Sequence, residues 1–308
     1  MSLPASQDQI QASDYNELQL AVQLLLGDGV GSRGYGQSQL IASSQIVETN
    51  GEFPVITRTQ WNQLRQDIGL IRQHQTGTFP ALIDLDSRLQ IDADVNQNFD
   101  NILNASDANR FQIAAPRSVT ASKASENFTG QWSVSANTQV TINFNTADNA
   151  RWFFNSGGKI RFFSQRSGGS STPQNTTWTS LLNNIGTVSF SANAPSVNFY
   201  SLTDQDQVSY EFKVGDVLPT SVYSNNDMKY RISVRSNVAN NSNGGATQLI
   251  FTVDWLDNYT PGSFPGGGPI LNPDLVDGTL SLAVSETKAA APFVIDSPSY
   301  SISSITAS

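Results

Sequence analysis

Arg151-Trp-Phe-Phe-Asn-Ser-Gly-Gly-Lys-Ile-Arg-Phe-Phe163 is the densest apolar stretch of the 308-residue chain, and our prediction of the fold class starts from it. Aromatic residues favour strands, so we predict that its two ends, Arg151–Phe154 and Lys159–Phe163, are strands. The Asn-Ser-Gly-Gly run between them is typical of a hairpin turn. Alternate side chains of this block should fill a core. In the alternative, Trp152 and Phe163 face outward as an interface patch.

From Pro116 onward, short runs rich in β-branched and aromatic residues alternate with Gly, Asn and Ser clusters. Gln139–Phe144 alternates cleanly between polar and apolar residues, which is typical of a half-buried strand. The other expected strands are Val119–Ala121, Thr187–Ser191, Val208–Val214, Lys229–Arg235, Gln248–Trp255 and Thr279–Ser285. About nine such strands predict an antiparallel β-sandwich, with a short helix at Trp178–Asn183.

The first 115 residues have helical periodicity instead. Capping boxes at Asp14–Glu17 and Thr57–Gln60 precede apolar residues at 3-4-3 spacing, which indicates two amphipathic helices. A third helix is expected over residues 81–105. Because no heptad continues for three or four repeats, a small bundle is favoured over a coiled-coil stalk. We therefore predict an α+β chain, in which an N-terminal helical docking or oligomerisation region, residues 1–115, is followed by an antiparallel β-sandwich, residues 116–308.

The composition argues against catalysis. The chain has no cysteine and one histidine, which removes thiol nucleophiles, zinc fingers and most His-based triads. Only 14 % of the residues are charged and the formal net charge is −9, which favours broad protein–protein contacts over nucleic-acid binding. No apolar run reaches the length of a membrane span, and the amino terminus does not resemble a signal peptide. We expect a non-enzymatic protein without a cofactor, made in a cytoplasm.

Two local features resemble parts of ligand sites. Gly29-Val-Gly-Ser-Arg-Gly34 matches the dinucleotide-binding G-x-G-x-x-G pattern. That chemistry needs a preceding strand and a following helix. Here an amphipathic helix precedes the glycines, so we interpret them as a glycine-rich helix end. His74 lies at the end of the second helix, where we expect it to interact with the last carbonyls and the helix dipole.

Acidic residues suggest two further sites. Asp92–Asp100 places oxygen ligands at alternating positions, but it lacks the glycine and the bidentate glutamate of a calcium loop. A solvated acidic helix face is the preferred interpretation. Asp84 with Asp86, or Asp204 with Asp206, would serve as an acid/base pair for glycan hydrolysis only if they flanked a bound sugar. We expect solvated loop residues, and no catalytic, cofactor or metal residue is predicted.

The aromatic block also carries a resemblance to a known family. The segment from Asp148 to Gly169 is similar to one that recurs in virion structural proteins of cyanophages and related marine tailed phages. Other similar elements are Asp14-Tyr-Asn16, Gly34-Tyr-Gly-Gln37, Thr59-Gln-Trp-Asn62, Arg72-Gln-His-Gln-Thr-Gly77, Asn175-Thr-Thr-Trp178, Gly186-Thr-Val188, Asp277-Gly-Thr-Leu280 and Pro298-Ser-Tyr300. Together they span nearly the whole chain. The family carries no known catalytic residues.

The resemblance implies a building block of a tail, neck, baseplate or fibre, assembled into the virion in the host cytoplasm. The expected partners are copies of the chain itself, as a trimer, and other virion proteins. Phe53, Trp61, Tyr259 and Phe264 are the candidate interface residues. The alternative is an appendage that binds a host receptor or surface glycan through exposed loop aromatics. A capsid decoration protein and a glycan-hydrolysing tail spike are two further alternatives.

Overall fold

A computed structural model describes residues 11–47, 55–82, 93–192, 197–202, 208–239, 244–260 and 275–308. This part of the chain contains helices and two β-sheets, which confirms a mixed α+β protein. The chain divides into two compact units. Unit 1 comprises Met1–Val119, Asp148–Gly158 and Lys288–Asp296, and unit 2 comprises Thr120–Ala147, Lys159–Thr287 and Ser297–Ser308. Two short segments that lie after residue 119 therefore belong to the same unit as the first 119 residues.

Unit 1 is built on three helices: α1 (Ala12–Leu25), α2 (Arg58–Thr76) and α3 (Ala93–Ala108). Each contacts the other two. Trp61 on α2 lies at the centre of their core, with its ring centroid 5.1 Å from that of Tyr15 and 6.1 Å from that of Phe99. All three side chains are at most 2 % exposed. The expected helix over residues 81–105 is described from Ala93 onward, and residues 83–92 lie outside the described part.

Capping explains where two of these helices begin and end. The Thr57 hydroxyl accepts the Gln60 N–H at 3.3 Å, and the Gln60 side-chain oxygen accepts the Thr57 N–H at 2.7 Å, which confirms the predicted capping box of α2. Gly77 ends α2 in the left-handed conformation at φ 85°. The box expected at Asp14–Glu17 is wrong, because the Asp14 carboxylate accepts the N–H of Gln11 and α1 begins at Ala12.

The predicted strand at Arg151–Phe154 is also wrong. Residues Ala147–Asn155 form helix α4. The Ser-Gly-Gly run that follows therefore connects this helix to the strand Lys159–Ser167 and is not the turn of a β-hairpin. Ala150, Phe153 and Phe154 follow helical spacing and are completely buried. The aromatic content of the segment is high enough for a strand, but its pattern of burial is that of a helix.

Unit 2 contains the strands. They are β1 (Ser118–Trp132), β2 (Ser135–Asn143), β3 (Lys159–Ser167), β4 (Thr187–Ser191), β5 (Val197–Asn198), β6 (Val208–Lys213), β7 (Met228–Ser236), β8 (Gln248–Asp257), β9 (Val276–Ala289), β10 (Ser299–Ile302) and β11 (Thr306–Ala307). Helices α5 (Pro173–Ile185) and α6 (Val214–Val217) accompany them, so helices are not confined to the first 115 residues. Apart from Arg151–Phe154, every expected strand coincides with or lies largely within one of these strands.

The strands form two sheets, ordered β1-β9-β3-β4-β5 and β10-β2-β8-β7-β6, and β11 also pairs with β2. The β3–β9, β2–β8 and β7–β8 pairs are antiparallel, whereas β4 and β5 are parallel. Side chains of the two sheets meet at Phe251 on β8, whose ring lies 4.8 Å from Phe162 and 5.2 Å from Phe190. The Trp255 indole also donates to the Ser164 hydroxyl at 2.9 Å. These buried contacts are the core of unit 2.

The alternation along β3 generates a prediction about this core. Phe162 is 1 % exposed, whereas its neighbour Phe163 is 38 % exposed. We expect Phe162→Ala to lower the free energy of unfolding by about 3–5 kcal/mol, because it removes a buried ring and leaves a cavity. Phe163→Ala, the matched control on the same strand, should cost less than about 1 kcal/mol. Urea unfolding followed by circular dichroism measures both, and equal losses would contradict this assignment of the core face.

Candidate functional site

The four candidate interface residues do not form one described surface. Trp61 is buried in the helical core, 2 % exposed, so it stabilises its own chain rather than offering a surface anchor. Tyr259 is half-buried, with its ring 5.0 Å from that of Tyr223 in an edge contact. Phe53 and Phe264 lie outside the described residues.

The glycine loop after α1 binds protein side chains. Gly29, Gly31 and Gly34 have positive φ values of 56°, 61° and 94°. The Arg151 guanidinium donates to the carbonyl oxygens of Asp28 and Gly31 at 3.0 and 3.1 Å, and the Asn155 amide donates to the Gly34 carbonyl at 2.9 Å. The loop is therefore a seat for α4. The glycines that match the dinucleotide-binding pattern thus form a loop whose carbonyls bind side chains of α4.

His74 lies inside unit 1, and its expected role at the helix end is wrong. Its Nε2 lies 3.1 Å from the Ser156 carbonyl oxygen, so this nitrogen carries the proton. The imidazole stacks on Phe293 with centroids 4.0 Å apart, and the Tyr35 ring meets it edge-on at 5.2 Å. Burial and, to a smaller extent, the Arg117 charge lower the pKa of His74 to about 4, against the opposing effect of the hydrogen bond to the Ser156 carbonyl. His74 is therefore a neutral packing residue at pH 7.

Two side-chain amides tie the loop that follows α1 into unit 1. Gln37 donates to the Val294 carbonyl and accepts the Val294 N–H, both at 3.0 Å, so the amide pairs with this residue as a neighbouring strand would. Gln75 on α2 donates to the Tyr35 hydroxyl at 2.7 Å and to the Ser106 carbonyl at 2.8 Å. Three segments far apart in sequence are thereby held at fixed positions.

A pocket of about 410 Å³ opens where residues 35–39, 149–152 and 294–296 meet, all within unit 1. Trp152 forms part of its wall. The indole N–H donates to the Asp28 carbonyl at 3.1 Å, which holds the ring in place. Gly36, at φ 65°, packs against the ring so closely that a Cβ would lie 2.3 Å from the indole Cδ2. Only glycine fits there.

Asp277 in unit 2 is the centre of a polar cluster. Its carboxylate accepts the Ser170 N–H at 3.0 and 3.1 Å, the Ser170 hydroxyl at 2.9 Å, the Asn175 amide, and the Arg166 guanidinium at 3.4 Å. Burial alone would raise the pKa of Asp277, but the donors of Ser170 and Asn175 and the Arg166 charge hold it below its ordinary value. The carboxylate thus clamps a glycine-rich turn to the start of β9.

Glu286 on β9 is the centre of a second polar cluster and is 1 % exposed. It pairs with the Lys123 ammonium at 2.8 Å and accepts the hydroxyls of Ser297 and Tyr300 at 2.7 and 2.9 Å. Burial, followed by the charge and hydrogen bond of Glu286, raises the pKa of Tyr300. Both acidic clusters therefore join strands and turns within unit 2, and each carboxylate is occupied by donors from its own chain.

The other proposed ligand sites gain no support. Among the described residues, no group of three His, Cys, Asp or Glu side chains is placed to hold a metal ion. Residues 93–100 of the calcium-like segment lie on α3, while Asp84, Asp86, Asp204 and Asp206 fall outside the described part. Within the same described ranges, no helix is long and apolar enough to cross a membrane.

Comparison with known proteins finds no matching family model, no matching curated protein and no matching solved structure.

The environment of His74 predicts a pH dependence of stability. Because the folded-state pKa, about 4, lies below the ordinary 6.5, the unfolded state binds more protons between these values. Stability is therefore complete above about pH 6.5 and is lost as the pH falls toward 4. We expect this group to contribute a loss of about 2 kcal/mol between pH 7 and pH 5.

His74 is the sole histidine, so its imidazole resonance reports the pKa directly in an NMR titration. The control is His74→Gln, which keeps a donor for the Ser156 carbonyl and does not titrate. Urea unfolding of this variant should lose the extra pH 7-to-5 slope. An imidazole pKa near 6.5, or an unchanged slope in the variant, would show that the buried neutral histidine is misassigned.

Proposed function

We propose that this chain is a non-enzymatic structural component of a tailed-phage virion, in the tail, neck, baseplate or fibre, that acts by self-assembly and by docking to other virion proteins. The observation that carries the proposal is the convergence of three elements that resemble the phage family. Arg166 belongs to the aromatic segment, Asn175 to the Asn-Thr-x-Trp element and Asp277 to the Asp-Gly-Thr-Leu element, and all three join in one clamp. A structural protein requires residues that hold its fold, and these three residues do so.

The polar chemistry of the described residues supports the same proposal. The carboxylates of Asp277 and Glu286 are each held by several donors from within the chain, so neither is free to act as a general base. The one histidine is buried and bonded to a backbone carbonyl. A glycan hydrolase needs two carboxyl groups that flank the sugar, and the pocket lined by residues 35–39, 149–152 and 294–296 has one, Asp296. Turnover of a host polysaccharide by the purified protein would favour the tail-spike alternative.

Self-assembly is proposed to use the open edge of β1. This strand has 15 residues and lies at the end of its sheet, and within the described residues it pairs with β9 alone. Edge strands expose unpaired N–H and C=O groups that pair readily with another chain. The opposite edge, β5, has two residues. The long β1 edge is therefore the better surface for strand pairing between copies.

One part of β1 fits this role best. Hydroxyl contacts join Thr120 to Thr287 and Thr129 to Thr279. The two threonines on β1 are nine residues apart, whereas their partners on β9 are eight residues apart. The extra residue requires a β-bulge, which disfavours pairing at that point. From Ser125 to Gln131 exposed and half-buried residues alternate regularly. We place the contact between copies on this regular segment.

The finer architecture belongs to the same proposal. The two sheets of unit 2 form a β-sandwich that packs laterally against its copies. The helical unit docks onto neighbouring proteins. Val47 and Val55 are apolar surface residues of this unit, 71 % and 89 % exposed, and they offer it an apolar contact. Symmetry multiplies such modest contacts in a closed assembly, for which we expect three copies.

Light scattering at several concentrations tests self-assembly. We expect a discrete oligomer for the unaltered chain and dissociation for the double variant Ser125→Lys and Asn127→Lys, because lysines on an edge strand oppose pairing with another strand. The control is Gln165→Lys and Ser167→Lys, which adds the same charge at exposed positions of β3, an interior strand of the same sheet. A monomeric unaltered chain would contradict self-assembly, and an oligomer unaffected by the β1 lysines would contradict this choice of edge.

A further inference from the structure

We propose that the pocket formed by residues 35–39, 149–152 and 294–296 of unit 1 binds a neutral saccharide. Its volume, about 410 Å³, is within the range of small-molecule sites. Its lining combines an aromatic ring, side-chain amides and a carboxylate. A sugar presents apolar C–H faces and a ring of hydroxyl groups, and this lining can bind both. The inference does not depend on the virion assignment.

The aromatic part of the site is fixed in advance. Trp152 is half-buried, and its N–H bond to the Asp28 carbonyl together with the Gly36 backbone on one side holds the indole in place. The rest of the ring lines the pocket beside Ile295 and the 71 % exposed Val294. The electron-rich face or edge of a rigid indole suits the weakly positive C–H groups of a pyranose. A ring that is already immobile loses little entropy when a ligand packs on it.

Two polar side chains of the site have oxygen atoms that can accept hydrogen bonds from a ligand. Asp296 is exposed and makes no hydrogen bond or ion pair with another described residue. Its two carboxylate oxygens are therefore available to accept from adjacent hydroxyl groups. Gln39 is also exposed and uses its N–H to bond the Gln37 side chain at 2.9 Å, which leaves its carbonyl oxygen for a ligand. Gln37 is in turn fixed by its two bonds to Val294, so the acceptors stand on a rigid frame.

Charge favours a neutral ligand over an acidic one. Asp296 is the acidic residue that lines the pocket, and the whole chain has a formal net charge of −9. A uronic or sialic acid would bring its carboxylate close to the Asp296 charge, and like charges repel most strongly where water is partly excluded. Hydroxyl groups of a neutral pyranose meet no such penalty.

The test uses saturation-transfer NMR with neutral methyl glycosides of glucose, galactose and mannose, in parallel with methyl glucuronide. We expect saturable binding of at least one neutral glycoside and weaker binding of the glucuronide. Asp296→Ala should weaken the neutral ligand by about tenfold or more, because a hydrogen bond to a charged acceptor is lost. Gln39→Ala should weaken it less. Asp94→Asn is the control, since Asp94 is an exposed carboxylate on α3, away from the pocket-lining segments.

Trp152→Phe gives a second readout that keeps an aromatic ring, and circular dichroism establishes that each variant is folded. Loss of binding in the Asp296 and Trp152 variants, with Asp94→Asn unchanged, would support the site. No saturable binding of any neutral glycoside at tens of millimolar would overturn it. Equal binding by the unaltered chain and Asp296→Ala would overturn its location, and preference for the glucuronide would overturn the predicted ligand class.

Discussion

Unit 1 depends on side chains that satisfy backbone carbonyls outside regular secondary structure. The loop after α1 leaves the carbonyls of Asp28, Gly31 and Gly34 without helical partners, and a buried carbonyl without a donor costs free energy. Arg151 and Asn155 supply these donors from α4. His74 does the same for Ser156, and Gln37 for Val294. These bonds join segments separated by up to 257 positions. They therefore fix where the later segments, Asp148–Gly158 and Lys288–Asp296, pack in unit 1.

The sequence predicted those elements whose determinants are local. The capping box of α2 and the strand at Thr187–Ser191 depend on neighbouring residues, and the structure has both. The strand predicted at Arg151–Phe154 failed for a non-local reason. Its aromatic residues favour extended chain, but the Arg151 and Asn155 side chains find their acceptors on a loop about 120 positions earlier. A helix brings these two side chains within one turn of each other, whereas a strand would hold them much farther apart.

The candidate site could not be predicted from the sequence, because its residues come from three segments that are far apart in the chain. Trp152 was considered as a core or outer-face residue of a strand, whereas it stands on a helix at the wall of a pocket. The pocket also needs Gln39 and Asp296, which are unremarkable polar residues in the sequence. The local signal at Gly34-Tyr-Gly-Gln37 contained three of the lining residues, but nothing in it indicated that Gly36 would lie against an indole.

Asp277 and Glu286 hold the fold of their own chain, whereas the contacts that we propose with other molecules lie at the β1 edge and at the pocket beside Trp152. We propose that the protein is part of a virion. The most direct measurement is peptide mass spectrometry of virus particles purified from the source of the chain. We expect its peptides at a constant ratio to the major capsid protein in independent preparations. Peptides abundant in infected-cell lysate but absent from purified particles would contradict it.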